Sequence, residues 1–235
     1  MRLDQLGIPV SARLLVLGPH PDDFDAIAVT LRRFFEAGNP LHVSVIRTGS
    51  GVEDGYLTRS TRVALAELRD AEQRASVRFF GLPEDRLRFL DLERDDTDQP
   101  VDSPENEAFL RDHFAELRPD IVFLPHGNDT NSGHRAVYWL ARRVARELGL
   151  PGALLLNHDP KTIRMRMDVY TPYGEDAARW KAELLRFHDS QQQRNLNTRG
   201  HGFDERILAT GRAAAQALGI AEPYAEAFEI EMNSQ

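Results

Sequence analysis

Five short apolar runs, at residues 13–18, 41–47, 87–92, 120–125 and 152–157, alternate along the chain with longer stretches patterned as helices. That alternation constrains the fold strongly, because strands joined by helices lie parallel and need helices on both faces of their sheet. The helices are expected over 22–37, 59–80, 104–117 and 134–149. The first shows its buried stripe most clearly, with Ile27, Leu31, Phe34 and Phe35 at helical spacing, and Gly38-Asn39-Pro40 ends it. Right-handed crossovers then give strand order 3-2-1-4-5, a Rossmann-like three-layer α/β fold with a mostly parallel sheet. Beyond residue 160 the pattern loosens: 164–170 reads as an edge strand, 176–190 and 204–218 as helices, and 226–231 as a final strand. The whole of 1–235 is expected to be one domain, with a core over 10–160 and a C-terminal extension over 161–235.

In that order strands 1 and 4 are neighbours, so the loops leaving their C-terminal ends face each other across the crevice where open α/β sheets bind ligands. One loop carries His20-Pro21-Asp22-Asp23 and the other runs from His126 through Asp129 and Asn131 to His134. A catalytic zinc takes three protein ligands and keeps a position for water, and His20, Asp23 and His134 supply that count. Asp22 is then the carboxylate available as general base. The plainer alternative is that Asp22 and Asp23 sit in the first turn of a helix, where each acid stabilises by roughly 0.3 to 1 kcal/mol, with Pro21 as a helix start. Histidines on both facing loops favour the metal.

Composition narrows the chemistry further. Without any cysteine, a metal site must be built from His and carboxylate. The net charge of -8 leaves no basic field for a nucleic acid. The chain starts Met-Arg-Leu-Asp-Gln, without the apolar run of a signal peptide, and nowhere shows the roughly 18 apolar residues of a membrane span. The expectation is a cytoplasmic protein with no membrane insertion; a homo-oligomer is left open.

These residues resemble the LmbE-like, or PIG-L, deacetylases. The family's first motif, His-Pro-Asp-Asp-Glu after a strand, corresponds to His20-Pro21-Asp22-Asp23-Phe24, and its second, Asp-x-His-x-Asp-His, to Asp129-Thr130-Asn131-Ser132-Gly133-His134. Further matches are Thr48-Gly49, Arg69 with Glu72, Lys181 through His188-x-Ser190-Gln191, and Tyr224-Ala225-Glu226-x-Phe228. The resemblance implies a zinc or other divalent-metal enzyme that hydrolyses an N-acyl, commonly N-acetyl, group on an N-acetylglucosamine-like small molecule. It makes His20, Asp23 and His134 the ligands and Asp22 the base. Asn131 stands where the family has a His and Gly133 where it has that His's partner Asp, so Asn131 is expected to hold an oxyanion without transferring a proton. Arg69, Asp129, His126 and His188 are the expected substrate contacts; protonation of the leaving amine falls to Asp22 or to His126, His188 or His201. For Arg69 a surface pair with Glu72 fits the sequence equally well. Two other readings stay open: a non-catalytic metal- or sugar-binding protein, and a non-haem iron oxygenase using two His and a carboxylate.

Overall fold

The computed structural model describes residues 1–150 and 152–232. The strands are β1 (Leu14–Gly18), β2 (Leu41–Ile46), β3 (Leu87–Leu90), β4 (Ile121–Pro125), β5 (Ala153–Asn157), β6 (Val169–Tyr173) and β7 (Tyr224–Met232). The helices are α1 (Asp23–Ala26), α2 (Ala28–Ala37), α3 (Arg62–Phe80), α4 (Pro104–Leu117), α5 (Ser132–Glu147), α6 (Glu175–Leu185), α7 (Asp189–Arg199) and α8 (Phe203–Leu218). One seven-stranded sheet runs β3-β2-β1-β4-β5-β7-β6. Its first five strands are parallel in the expected order, and β7 and β6 of the extension add to it antiparallel.

β1 is buried along its whole length and shows why both faces need cover. Leu14 and Val16 pack with Ile27, Leu31 and Phe80 on one face, whereas Leu15 and Leu17 pack with Leu110, Phe114, Val137 and Val144 on the other. Alternate side chains of a strand point to opposite faces, so each needs its own helical layer.

Three elements differ from the sequence reading. The helix expected over 22–37 breaks at Ile27, because the extension takes up the backbone groups there. Lys181 Nζ donates to the Ala26 carbonyl at 2.5 Å, and Glu226 accepts from the N–H groups of Val29 and Thr30 at 3.1 and 2.7 Å. Lys181 and Glu226 pair with each other at 2.6 Å, so both serve this break. The helix expected over 176–190 splits where His188 descends to Asp25, 2.7 Å away. The strand expected over 164–170 lies instead at Val169–Tyr173, an edge position that tolerates Pro172 without its N–H.

His113, on α4, is buried with its ring 2.8 Å from Ser44 Oγ. Burial, aided by the charge of Arg88, pushes its imidazole down from 6.5 to about 4. The unfolded chain therefore binds the extra proton first, and the stability this neutral histidine contributes is complete above pH 6.5 and lost as pH falls towards 4. His113→Gln is expected to flatten the acid limb of a denaturant-stability profile across that window by about 3 kcal/mol. An unchanged limb would place the acid sensitivity elsewhere.

Candidate active site

β1 delivers His20 and Asp23 to the crevice and the loop after β4 delivers His134 at the start of α5. The His20 and Asp23 atoms meet twice: Asp23 Oδ2 accepts from the His20 N–H at 2.8 Å and stands 3.5 Å from His20 Nδ1. His134 Nε2 lies 3.2 Å from His20 Nδ1 and 3.6 Å from Asp23 Oδ1. Each ring is fixed from behind. His134 Nδ1 donates to Asp129 Oδ2 at 3.1 Å, and His20 Nε2 donates to Gln99 Oε1 at 2.8 Å.

Those two outer bonds decide the chemistry of the inner nitrogens. A neutral imidazole that donates through one nitrogen presents a lone pair on the other. His20 Nδ1 and His134 Nε2 therefore aim two lone pairs at one spot beside a carboxylate, an arrangement that calls for a cation. One donor atom from each of the three residues lies within 4.8 Å of the others, and the two imidazole nitrogens are 3.2 Å apart, close to the roughly 3.3 Å edge of a tetrahedral zinc site with bonds of ~2.0–2.1 Å. The three residues fit a metal. Burial works against a charge on Asp23, but His134 and the contacts with His20 outweigh it and hold the carboxyl well below the ordinary range. Burial likewise opposes a charge on His134, yet Asp23, Asp129 and Asp159 together raise its imidazole.

Asp22 lies between the ligand candidates with φ of 126°, a strained conformation for a non-glycine residue. Three contacts hold it there. Its N–H donates to Gln73 Oε1 at 3.0 Å, Arg69 Nη2 donates to its Oδ2 at 3.0 Å, and the same guanidinium group bonds the Pro21 carbonyl. Arg69 is 1% exposed, so the surface-pair alternative is overturned: it stays 3.9 Å from Glu72 but ties the loops after β1 and β2 together, reaching Ser50 O at 3.2 Å.

Asn131 caps α5. Its Oδ1 accepts from the N–H groups of Gly133 at 2.8 Å and His134 at 3.2 Å, which leaves Nδ2 without a partner among the described residues, and the residue lines the cavity. Gly133 is explained by Gln99, because a Cβ at 133 would come within 2.5 Å of Gln99 Oε1. The space that the family's Asp side chain would need is taken by a carboxamide reaching in from the loop after β3 to hold His20. Gln99→Ala is expected to weaken zinc binding by about 10- to 100-fold, the scale for groups that orient a ligand, as read by competition with a chelating dye. Unchanged affinity would make the contact with His20 incidental.

The cavity has a volume of about 310 Å³ and is lined mostly by polar groups, at the small end of the ~300–1,000 Å³ typical of small-molecule sites. Asp22, Asp23, His20, Arg69 and Asn131 face it. The other expected substrate contacts do not. Asp129 is buried behind His134, His126 turns to Glu229 at 3.3 Å, and His188 is 0% exposed against Asp25. His201 lies on a neighbouring surface. Sequence reading missed Gln99, and it missed Asp159 and Lys161 in the loop after β5. That loop leaves the strand next to β4, so the topology alone could have placed it here. Burial pushes the Asp159 carboxyl up. The polar stretch 189–194 forms the start of α7 and lines the cavity through Gln191 and Arg194.

The PIG-L family profile, described as GlcNAc-PI de-N-acetylase, matches residues 15–145. Among solved structures, N,N'-diacetylchitobiose deacetylase from Pyrococcus horikoshii is similar over 95% of this chain and 85% of its own, at 19% identity and a TM-score of 0.76. GalB, the 4-carboxy-2-hydroxymuconate hydratase from Pseudomonas putida KT2440, is similar over 93% of this chain and 95% of its own, at 18% identity and a TM-score of 0.69. The A40926 pseudoaglycone deacetylase Dbv21 is similar over 95% and 99%, at 16% identity and a TM-score of 0.68. At such identities the likeness speaks for the fold alone. No curated protein matches the sequence. Among the described residues no helix is long and apolar enough to cross a membrane. With the profile covering more than half of its length, the chain belongs to the PIG-L family.

Proposed function

We propose that this protein is a metal-dependent N-deacetylase that removes an acetyl group from the amine of an amino sugar or a sugar-like small molecule. The observation that carries the reading is the pair of lone-pair nitrogens, His20 Nδ1 and His134 Nε2, meeting Asp23, with His20, Asp22 and Asp23 lining a polar cavity. Family membership supports it, as does a fold shared with deacetylases. A zinc ion held by His20, Asp23 and His134 would supply Lewis acidity towards the amide carbonyl and lower the pKa of water to about 7. Asp22, held by Arg69, removes the proton of the attacking water. Asn131 donates from Nδ2 to the oxyanion of the tetrahedral intermediate. Asp22 then returns the proton to the leaving amine, since neither His126 nor His188 faces the cavity.

The test is amine release from a panel of N-acetyl sugars by the zinc-loaded protein. His134→Ala is expected to lose most of the metal, by elemental analysis, and all measurable turnover while keeping its circular dichroism. Full metal in that variant would move the site elsewhere. Turnover with redox-inert zinc would exclude the oxygenase; full zinc loading without turnover on any substrate would favour a binding protein.

One observation favours a second reading. Asn131 has no proton to transfer, and GalB shows that this fold also carries a hydratase. Adding water across the C=C bond of an unsaturated carboxylate needs the same base, Asp22, which would pass the proton taken from water to the α-carbon, and there is no amine to protonate. Loss of diene absorbance without amine release would select it.

A further inference from the structure

Four cations from the C-terminal extension line the cavity: Lys161, Arg194, Arg199 and Arg206. Among the described residues none of the four side chains has a hydrogen bond or an ion pair to a protein group. Many of this acid-rich chain's arginines meet a carboxylate, as in Arg88–Glu116, Arg111–Glu147 and Arg143–Asp102. These four cations do not, and they share one cavity. Of the carboxylates that line the cavity, Asp22 is engaged by Arg69 and Asp23 by the histidines, which leaves Asp159 alone against the collar.

Folding does not explain the placement. Arg206 is half-buried in the first turn of α8, where the helix macrodipole disfavours a positive charge. Burial, and then repulsion from Arg199 and Arg194, lowers its guanidinium below the ordinary value. Arg194 is brought in close by Gly51, whose φ is 85° and whose Cβ, were there one, would lie 3.0 Å from Arg194 Nη1. Arg199 alone has a simple structural reason, at the C-terminal end of α7. Like charges gathered at a cost to folding, in a cavity that also holds the candidate metal site, call for an anion.

We infer that Lys161, Arg194, Arg199 and Arg206 form an anion subsite, so that the substrate carries a carboxylate or phosphate in addition to the reacting nitrogen. This rests on the cavity being the reaction site, and it narrows the substrate to an anionic N-acyl amino compound. The subsite lies on the extension, outside the residues that match the family profile. A neutral amino sugar would leave four cations crowded and unanswered.

The test reads binding without turnover. Glucosamine, glucosamine 6-phosphate and muramic acid, all free amines, are titrated into the zinc-loaded protein by calorimetry at low salt. At least one of the two anionic sugars is expected to bind about tenfold or more tightly than glucosamine, as one or two charge-assisted hydrogen bonds would give. Which of the two wins tells phosphate from carboxylate. The advantage is expected to shrink with added salt, and in the double variant Arg199→Gln, Arg206→Gln the ratio of affinities is expected to fall towards one. Equal affinity of all three sugars, or an advantage that survives in the folded double variant, would overturn the subsite and leave the deacetylase reading standing. Inorganic phosphate alone covers the converse case. If no amino sugar binds but phosphate raises the melting temperature of the parent and not of the double variant, the subsite holds and the amino-sugar reading falls; if phosphate stabilises both equally, the subsite falls too.

Discussion

Asp22→Asn is expected to keep its full complement of metal and to lose turnover by roughly 100-fold or more, the scale of an acid–base group. The substitution is close to a pure change of chemistry. Asparagine has the same shape, its carbonyl oxygen can still accept from Arg69, which now stands 3.0 Å from the carboxylate, and its backbone N–H can still donate to Gln73. It is also among the side chains that best tolerate the positive φ found at this position. What it cannot do is take a proton from water. Elemental analysis and a melting curve would establish that the variant is loaded and folded, so the rate isolates proton transfer. Parental turnover in a loaded variant would remove Asp22 from the mechanism. Loss of metal instead would make it a ligand, although its Oδ2 faces Arg69 and not the histidines.

The parallel core was legible because its constraints are local and topological. Buried strands read as continuous apolar runs, and right-handed crossovers leave few orders for five of them. The same crossover rule says nothing about antiparallel additions. β6 was therefore displaced in the sequence reading: Met165 and Met167 alternate with arginines like a strand, but the pairing to β7 begins only at Val169. The breaks at Ile27 and His188 were hidden for a related reason. Each is made by side chains more than a hundred residues away, Lys181 and Glu226 in one case and Asp25 in the other.

The candidate site divides along the same line. His20, Asp22, Asp23 and His134 could be found because the switch point of the sheet is a consequence of strand order. Gln99 could not, since its loop is positioned only by the packed fold. One trace of it was present in the sequence. A glycine standing where a motif has a carboxylate indicates that another side chain fills the space, and Gln99 does so, 2.5 Å from where a Cβ of Gly133 would be. His126 and His188 misled as substrate contacts because a histidine near a site in sequence carries no information on which way its ring turns; one faces Glu229 and the other is sealed against Asp25.

Asn131 tests whether the altered second motif still supports catalysis, and its two ends do different work. Oδ1 is committed to the N–H groups of Gly133 and His134, so it holds the first turn of α5 and with it the ring of His134. Nδ2 is the end left to meet an oxyanion. Asn131→Ala removes both, and is expected to cost about 1 kcal/mol of stability through the lost cap and up to about 100- to 1,000-fold in rate through the lost donor. Asn131→Asp separates them. Its carboxylate is as good a cap, and its charge is favourable at a helix N-terminus, so the melting temperature is expected to stay at or above that of the parent with metal retained. It has no donor for an oxyanion and sets a negative charge beside one, so the rate is expected to fall at least as far as in the alanine variant. If Asn131→Asp instead turns over like the parent, the oxyanion is held by other groups and capping is the whole role of the side chain. The pH–rate profile adds an independent check, because an amide does not titrate. The parent and Asn131→Ala are therefore expected to share the same inflections, with only the height of the profile reduced.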